Sequence, residues 1–323
     1  METRQLGKNG PALSVIGFGA WAIGGPWNYG WGVVDDDESV RAIRRALDTG
    51  VNWIDTAAAY GFGHSEEVVG RAVRGLGKRP FIATKCGLLP DGKGGVRNSI
   101  EPSSIRGECN ASLKRLGVDC IDLYQIHWPE GSVPIEDAWG AMAGLQKEGK
   151  ARYIGVSNFD VPLLRRCMAV APVQSLQPPY SLITRDVEKE TLAFCREQSI
   201  GVVAYSPMQS GLLTGKFDRA KMKSDDWRQR ISLFREPELS RGLAFVESLR
   251  PIADARRKTV GQLAVAWVLS SPAVTSAIVG ARTPVQAEEN SRAAGWSLTS
   301  AELRAIEEAY RKHYGSPAAA GAE

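Results

Sequence analysis

The sequence predicts an α/β protein built as a (β/α)8 TIM barrel, with an N-terminal hairpin cap and extra helices after strand seven and at the C-terminus. Three observations carry that prediction. First, strand-like and helix-like segments alternate eight times along the 323 residues, the rhythm of a parallel sheet joined by crossover helices. Second, no break in composition separates two halves. α/β barrels of this length fold as one domain, so residues 1–313 read as a single domain and 314–323 as a disordered tail. Third, polar residues recur where four consecutive apolar strands should end: Asp55 in NWIDTA, Tyr60 just beyond it, Lys85 in FIATK and His127 in LYQIHW. A barrel presents its chemistry at the C-terminal rim of its strands.

Each element has its own signal. RQLGKNGPALS carries Asn9-Gly10, a turn pair that reads as a short hairpin ahead of the main fold. SVIGFGA is a buried strand, and 36–49 a helix with Val40, Ile43, Ala46 and Leu47 on one face. NWIDTA is the second strand, followed by a helix over 65–74 with Ser65 as its N-cap. FIATK is the third, and its helix, 103–116, sits behind Pro102. CIDLYQIHW with 134–147, RYIGVSN with 162–170, and VQSLQPPY with 187–198 form units four to six. IGVVAYSP is strand seven. The rhythm then breaks over 208–240, which holds GLLTGK and the charged KSDDWRQR. A stretch that long inside a compact domain is usually functional or mobile. Helices over 241–257 and 260–269, strand eight in TSAIVGA and a helix over 284–293 follow. A last amphipathic helix spans 299–313, with Thr299 and Glu302 spaced as a capping box.

Composition narrows the function. The 40 Lys and Arg and 36 Asp and Glu are interspersed, leaving a net charge of +4. No basic block or aromatic-basic ladder points to nucleic acid. No apolar run approaches the ~18 residues of a membrane span. The five cysteines are scattered and match no pairing motif, as in a reducing compartment, and METRQLGKNG has no apolar signal-peptide core. A cytoplasmic protein is expected. The three histidines, His64, His127 and His313, have no metal-ligand spacing, so no metal site is expected.

Two glycine motifs have bland readings. GFGAWA over 17–22 matches the dinucleotide pattern G-x-G-x-x-A but runs into GGPWNYGWG, which cannot open the helix that pattern requires. It reads as the first βα loop. GLLTGK over 211–216 is one residue short of a P-loop and lacks the Ser or Thr after Lys; it reads as an ordinary turn or as a flexible loop carrying one cation toward a phosphate.

The four rim residues make chemical sense together. Taken singly, Asp55 could brace a loop, Tyr60 could be a packing aromatic and His127 a satisfied core histidine. Lys85 is the least ordinary, since an ammonium inside a barrel needs a partner. A phenol titrates near ~10, and lowering that toward neutrality takes ~3–4 kcal/mol, which one close ammonium in a water-poor site supplies. Lys85 is therefore expected to lower the Tyr60 pKa, Asp55 to brace Lys85, and His127 to orient a substrate oxygen. A Tyr acid without a metal suits carbonyl reduction with a nicotinamide hydride.

The chain resembles the aldo-keto reductases along almost its full length, on IDTAAAYGFGHSEEVVG, TKCG, SLKRLGVDCIDLYQIHWP, IGVSNF, QPPYSL, AYSPMQSGLLTGK and GARTPVQAEEN. It looks most like the bacterial branch of general-stress and inositol-operon reductases, on WAIGGPWNYGWG and KSDDWR. The resemblance implies a catalytic tetrad of Asp55, Tyr60, Lys85 and His127. It implies Gly19, Ala20, Trp21 and Asp55 beside the nicotinamide. Ser157, Asn158 and Gln177 would lie at its carboxamide, with Tyr205 stacked on the ring. Ser206, Pro207, Met208, Ser210, Gly211 and Leu212 would follow the pyrophosphate, with Lys216 closing over it. Arg228, Gly280, Arg282, Gln286, Glu289 and Asn290 would hold the adenosine end. Arg282 after the strand-eight glycine suits a 2′-phosphate, so NADPH is expected ahead of NADH. Trp21, Trp27, Trp31 and Trp128, with Tyr60 and His127, would wall the substrate site. A monomer acting on a small carbonyl or alcohol is expected. Two alternatives stay open: a Schiff-base lyase using Lys85 as nucleophile, and an NADPH-binding redox-sensing partner subunit like the potassium-channel beta subunits.

Overall fold

A hairpin closes one end of the molecule before the barrel begins. β1 (Thr3–Gln5) and β2 (Ala12–Ser14) pair antiparallel, with Thr3 opposite Ser14. The Leu6 N–H donates to the Pro11 carbonyl and the Gly10 N–H to the Leu6 carbonyl. Leu6 and Leu13 then pack beneath Trp53, Ala83, Leu123 and Val203 inside the barrel. The computed structural model describes residues 1–131, 133–224 and 226–315. The expected tail over 314–323 begins two residues too early: Tyr314 ends the last helix, packed on Phe245 and Tyr310, and Gly315 is its C-cap, while 316–323 lie outside the described residues.

β3 (Ile16–Gly19) is the first barrel strand, and a 3₁₀ turn over Ala20–Ile23 follows it in place of an α-helix. α1 (Asp36–Asp48) starts behind Asp35, whose carboxylate accepts from the Glu38 N–H at 3.0 Å. β4 (Trp53–Asp55) and α2 (His64–Val73) come next. Ser65 is not the N-cap of α2: Gly63 occupies that position, and the Ser65 hydroxyl is bonded to Thr56 Oγ1 and to the Ala20 carbonyl. β5 (Phe81–Cys86) leads into a hairpin that was not foreseen, β6 (Leu88–Pro90) and β7 (Val96–Asn98), before α3 (Pro102–Leu116). β8 (Ile121–Ile126), α4 (Ile135–Lys147), β9 (Ala151–Ser157) and α5 (Val161–Val170) match their patterns within a few residues. β10 (Ser175–Gln177) is shorter than VQSLQPPY suggests, because Pro178 and Pro179 have no N–H to extend the ladder. The sixth helix opens as a 3₁₀ turn and continues as α6 (Thr191–Glu197).

β11 (Gly201–Ala204) precedes the long segment. The described residues of that segment hold four 3₁₀ turns, with Trp227 and Phe234 buried. α7 (Glu238–Asp254), α8 (Val260–Ser270), β12 (Val274–Gly280), α9 (Pro284–Ser291) and α10 (Ser300–Tyr314) follow. The Thr299–Glu302 capping box is formed, and Thr259 with Gln262 makes a second one on α8.

The barrel strands pair in chain order, β3-β4-β5-β8-β9-β10-β11-β12, and β12 closes on β3 with Gly280 opposite Gly19. Strand alternation sorts side chains into two layers. Ile54, Ile82, Tyr124, Ile126, Ile154 and Val156 face outward under the helices. Trp53, Ala83, Leu123, Val203 and Ile278 fill the interior. Gly17 makes room for Trp53, since a Cβ there would lie 2.2 Å from the indole. Two residues beyond Trp53 and Ala83 on the same inward face stand Asp55 and Lys85, so the period of the strand places both inside the barrel mouth.

Behind β5, α3 buries Glu108, whose carboxylate accepts from the Gly87 N–H at 3.1 Å and from Ser104 Oγ at 3.1 Å. Burial, the largest influence, pushes its pKa up from 4.5 to about 7. The folded state therefore holds this proton more tightly than the unfolded chain. That preference destabilises the fold progressively as pH rises from about 4.5 to about 7, with no further change above. Glu108→Gln, which keeps an acceptor for Gly87, is expected to stabilise the protein by about 1–3 kcal/mol at pH 8. Calorimetry at pH 5 should find the gain largely gone.

Candidate active site

Three strands, not four, deliver the expected rim residues. Asp55 ends β4, Tyr60 lies in the turn after it, Lys85 is the penultimate residue of β5, and His127 follows β8. The Lys85 ammonium directs its three protons to Asp55 Oδ2 at 2.6 Å, the Thr56 carbonyl at 2.9 Å and Tyr60 Oη at 3.2 Å. Asp55 Oδ1 accepts from Gln177 Nε2 at 2.8 Å. The His127 ring stands edge-on to Tyr60, with centroids 5.8 Å apart. Behind β5, Thr84 donates to Glu66 at 2.5 Å and Arg115 to the same carboxylate at 2.6 Å, which fixes α2 and the Tyr60 turn against the strand.

These contacts set protonation. Burial pushes Asp55 up and Lys85 down, and each is opposed by the charge of the other, so the pair acts as one neutral unit. The expected lowering of Tyr60 is not found. Burial, with a smaller contribution from the Asp55 charge, holds the phenol well above its ordinary value. Desolvation is the larger of the two influences. Tyr60 is thereby kept in its proton-bearing form. Burial and the Lys85 charge hold His127 well below the usual imidazole range, so its ring is neutral. Lys85 is fully buried, has all three donors engaged and does not border the cavity. That geometry removes the basis for Lys85 as a Schiff-base nucleophile.

Above these residues opens a cavity of about 1010 Å³. Asp55, Tyr60 and His127 border it, as do Ser157, Asn158, Gln177 and Tyr205. The last four are tied together. Ser157 Oγ donates to the Gln177 carbonyl at 2.8 Å, Asn158 Nδ2 to the His127 carbonyl at 2.9 Å, and Tyr205 Oη to Asn158 Oδ1 at 2.9 Å. One hydrogen-bond network thus runs from Tyr60 through Lys85, Asp55 and Gln177 to the amide cluster. Beyond it the wall is the backbone of 206–211, where Ser206, Gln209, Ser210 and Gly211 all adopt positive φ. At the far end, Lys216 bridges to Glu289 at 2.6 Å, while Asn290 and Gln286 bond the backbones of Gly280 and Arg282. The Arg282 guanidinium is exposed with no carboxylate partner among the described residues.

The expected cofactor contacts border this cavity with three exceptions. Ala20 is buried, with its carbonyl held by Ser65. Leu212 is buried against Phe234 and Leu239. Arg228 does not border the cavity. It is clamped on Asp226 at 2.6 Å and on the Ser210 carbonyl at 3.2 Å, over the rings of Trp31, Phe217 and Phe234. An adjacent carboxylate and three ring faces satisfy that cation locally.

Trp21, Trp27, Trp31 and Trp128 all line the cavity. The sequence reading missed Trp227, whose ring lies 4.8 Å from Trp21 and 5.7 Å from Trp31, docking the long segment onto the first loop. It also missed the wall formed by Leu88, Val96, Asn98 and Glu130. The available signal was Asp91-Gly92, a hairpin pair, just after Leu88-Leu89.

The residues present fit an extended nicotinamide dinucleotide. Amide and hydroxyl groups cluster at the reactive end, main chain lines the middle, and an unpartnered guanidinium stands near the N-terminus of α9 at the other. Among the described residues no helix is long and apolar enough to cross a membrane.

The match to known proteins agrees with this geometry. The Aldo/keto reductase family model matches residues 15–311, and the chain belongs to that family of NAD(P)H-dependent oxidoreductases. It is 41% identical over 311 residues to aldo-keto reductase YhdN of Bacillus subtilis, covering 95% of this chain and 92% of that protein. It is 35% identical over 323 residues to the NADH-specific methylglyoxal reductase of Escherichia coli, covering 95% and 98%. Among solved structures, it is similar to the glycerol dehydrogenase AKR11B4 from Gluconobacter oxydans, with a TM-score of 0.89, 39% identity, and coverage of 100% and 99%. An aldo-keto reductase from Klebsiella pneumoniae in complex with NADPH gives a TM-score of 0.75 at 29% identity, covering 99% and 97%.

Proposed function

We propose that this protein reduces an aldehyde or ketone to the alcohol, reversibly, with NADPH as the preferred cofactor and Tyr60 as the general acid. The observation that carries this reading is the contact from the buried, Asp55-braced Lys85 ammonium to Tyr60 Oη at 3.2 Å on the cavity floor. The nicotinamide supplies the hydride. Ser157, Asn158 and Gln177 would hold its carboxamide, and Ser206, Pro207, Met208, Ser210 and Gly211 would follow the pyrophosphate. His127, as a neutral imidazole, donates a hydrogen bond that orients the carbonyl oxygen. Tyr60 gives that oxygen its proton, and the Lys85 ammonium balances the phenolate that remains. In oxidation the same phenol oxygen takes the alcohol proton.

Relatives divide on cofactor: one is named NADH-specific and a structural neighbour holds NADPH. Arg282 supports NADPH here, because a free guanidinium recognises a 2′-phosphate with charge-assisted bonds. Arg282→Ala is expected to raise the KM for NADPH about 10- to 100-fold with little effect on that for NADH. Initial rates followed by nicotinamide absorbance over a panel of aldehydes, ketones, sugars and alcohols test both points. No turnover of any carbonyl with either cofactor would overturn the function.

A further inference from the structure

The cavity is electrically lopsided. Among the described residues three carboxylates line it: Asp55, Glu130 and Glu289. Asp55 is neutralised by Lys85 at 2.6 Å and Glu289 by Lys216 at 2.6 Å. Among the described residues Glu130 has no cation, and its one hydrogen-bond partner there is the Asn98 side-chain amide, which reaches it from β7. Glu130 is exposed and lies three residues beyond His127, beside Trp128, so its charge faces the substrate side. The cations that line the cavity, Lys216 and Arg282, stand at the opposite end, and the His127 ring is neutral. Arg97 lies between Val96 and Asn98 but pairs across the hairpin with Leu89, on the strand face turned from the cavity.

We infer that Glu130, held by Asn98, is a specificity-determining residue: it makes the substrate side select against carbonyl compounds that carry a negative charge and for uncharged or cationic ones. This rests on the proposed carbonyl reduction and adds the charge class of its substrate. Two like charges about 8 Å apart at an effective dielectric constant of about 40 disfavour binding about six-fold, an effect that salt screens. The overall charge of +4 would instead draw anions in, so discrimination against them has to come from the local wall.

The test compares 4-carboxybenzaldehyde, its uncharged methyl ester and 4-(trimethylammonio)benzaldehyde, each with saturating NADPH. The expected order of kcat/KM places the carboxylate at least about three-fold below the ester and the cation at or above it. Glu130→Gln is expected to bring the carboxylate-to-ester ratio near unity, Glu130→Lys to invert it, and about 0.5 M salt to shrink it in the unaltered protein. A ratio near unity in the unaltered protein, or one that neither variant moves, would overturn the inference while leaving carbonyl reduction intact. Failure to reduce the ester at all would overturn the function and the inference together.

Discussion

Tyr60→Phe is expected to lower kcat for carbonyl reduction by at least ~10²–10⁴-fold, the usual contribution of a positioned general acid. NADPH binding, followed by fluorescence, should change little. The phenol bordering the cavity contributes a proton and one polar contact; its ring stays in place in the variant, packed 6.3 Å from Trp27 and 5.8 Å from His127. The tight interactions along the remaining cavity wall do not involve its hydroxyl. A Phe variant with unaltered kcat would remove Tyr60 from the chemistry.

The second large effect lies one bond deeper. Lys85→Met should abolish turnover and also destabilise the fold by about 3–5 kcal/mol, because Asp55 would be left as a buried, uncompensated carboxylate. Asp55 is 3% exposed and would keep Gln177 as its main partner. Adding Asp55→Asn removes the stranded charge while preserving an acceptor for Gln177. The double variant is therefore expected to recover most of the lost stability in thermal or urea denaturation and none of the turnover. Full stability in the single variant would show that the pair is less buried, or better hydrated, than its geometry states.

Much of this architecture is legible in the sequence because strand and helix periods are strong signals. The eight barrel strands, the Thr299 capping box and the positions of Asp55, Lys85 and His127 all follow from apolar runs and their punctuation. Short elements escaped. β6 and β7 have three residues each and no alternation long enough to stand out, yet they supply Asn98 and one wall of the substrate side. Ser65 looked like a cap because it precedes a helical pattern, but its hydroxyl is committed to Thr56 and Ala20. Arg228 could not be placed without knowing that Asp226 and the Trp31, Phe217 and Phe234 rings converge on it across the fold. The sign of the Tyr60 shift is not legible in the sequence for a similar reason. Pairing Lys85 with Tyr60 is readable from residue types, whereas the burial that raises the phenol is a property of the assembled barrel.

The roles of the two halves of the cavity differ accordingly. The network from Tyr60 through Lys85, Asp55 and Gln177 to Ser157 and Asn158 ties the proton donor to the amide cluster at fixed distances. The substrate side is built from loops, with Trp21, Trp31 and Trp227 brought together from the first βα loop and the segment after β11. On the proposed function, the first would set reaction type and the second substrate range.

The most direct test of the account follows the hydride itself. The protein is incubated with NADPH deuterated at nicotinamide C4 and an uncharged aldehyde such as 4-nitrobenzaldehyde, and the alcohol is examined by mass spectrometry and NMR. The account predicts one deuterium on the carbinol carbon, delivered from a single face of the nicotinamide, and a hydroxyl proton drawn from solvent through Tyr60. Alcohol formed without deuterium at that carbon whichever face of C4 carries the label, or no alcohol at all, would contradict it.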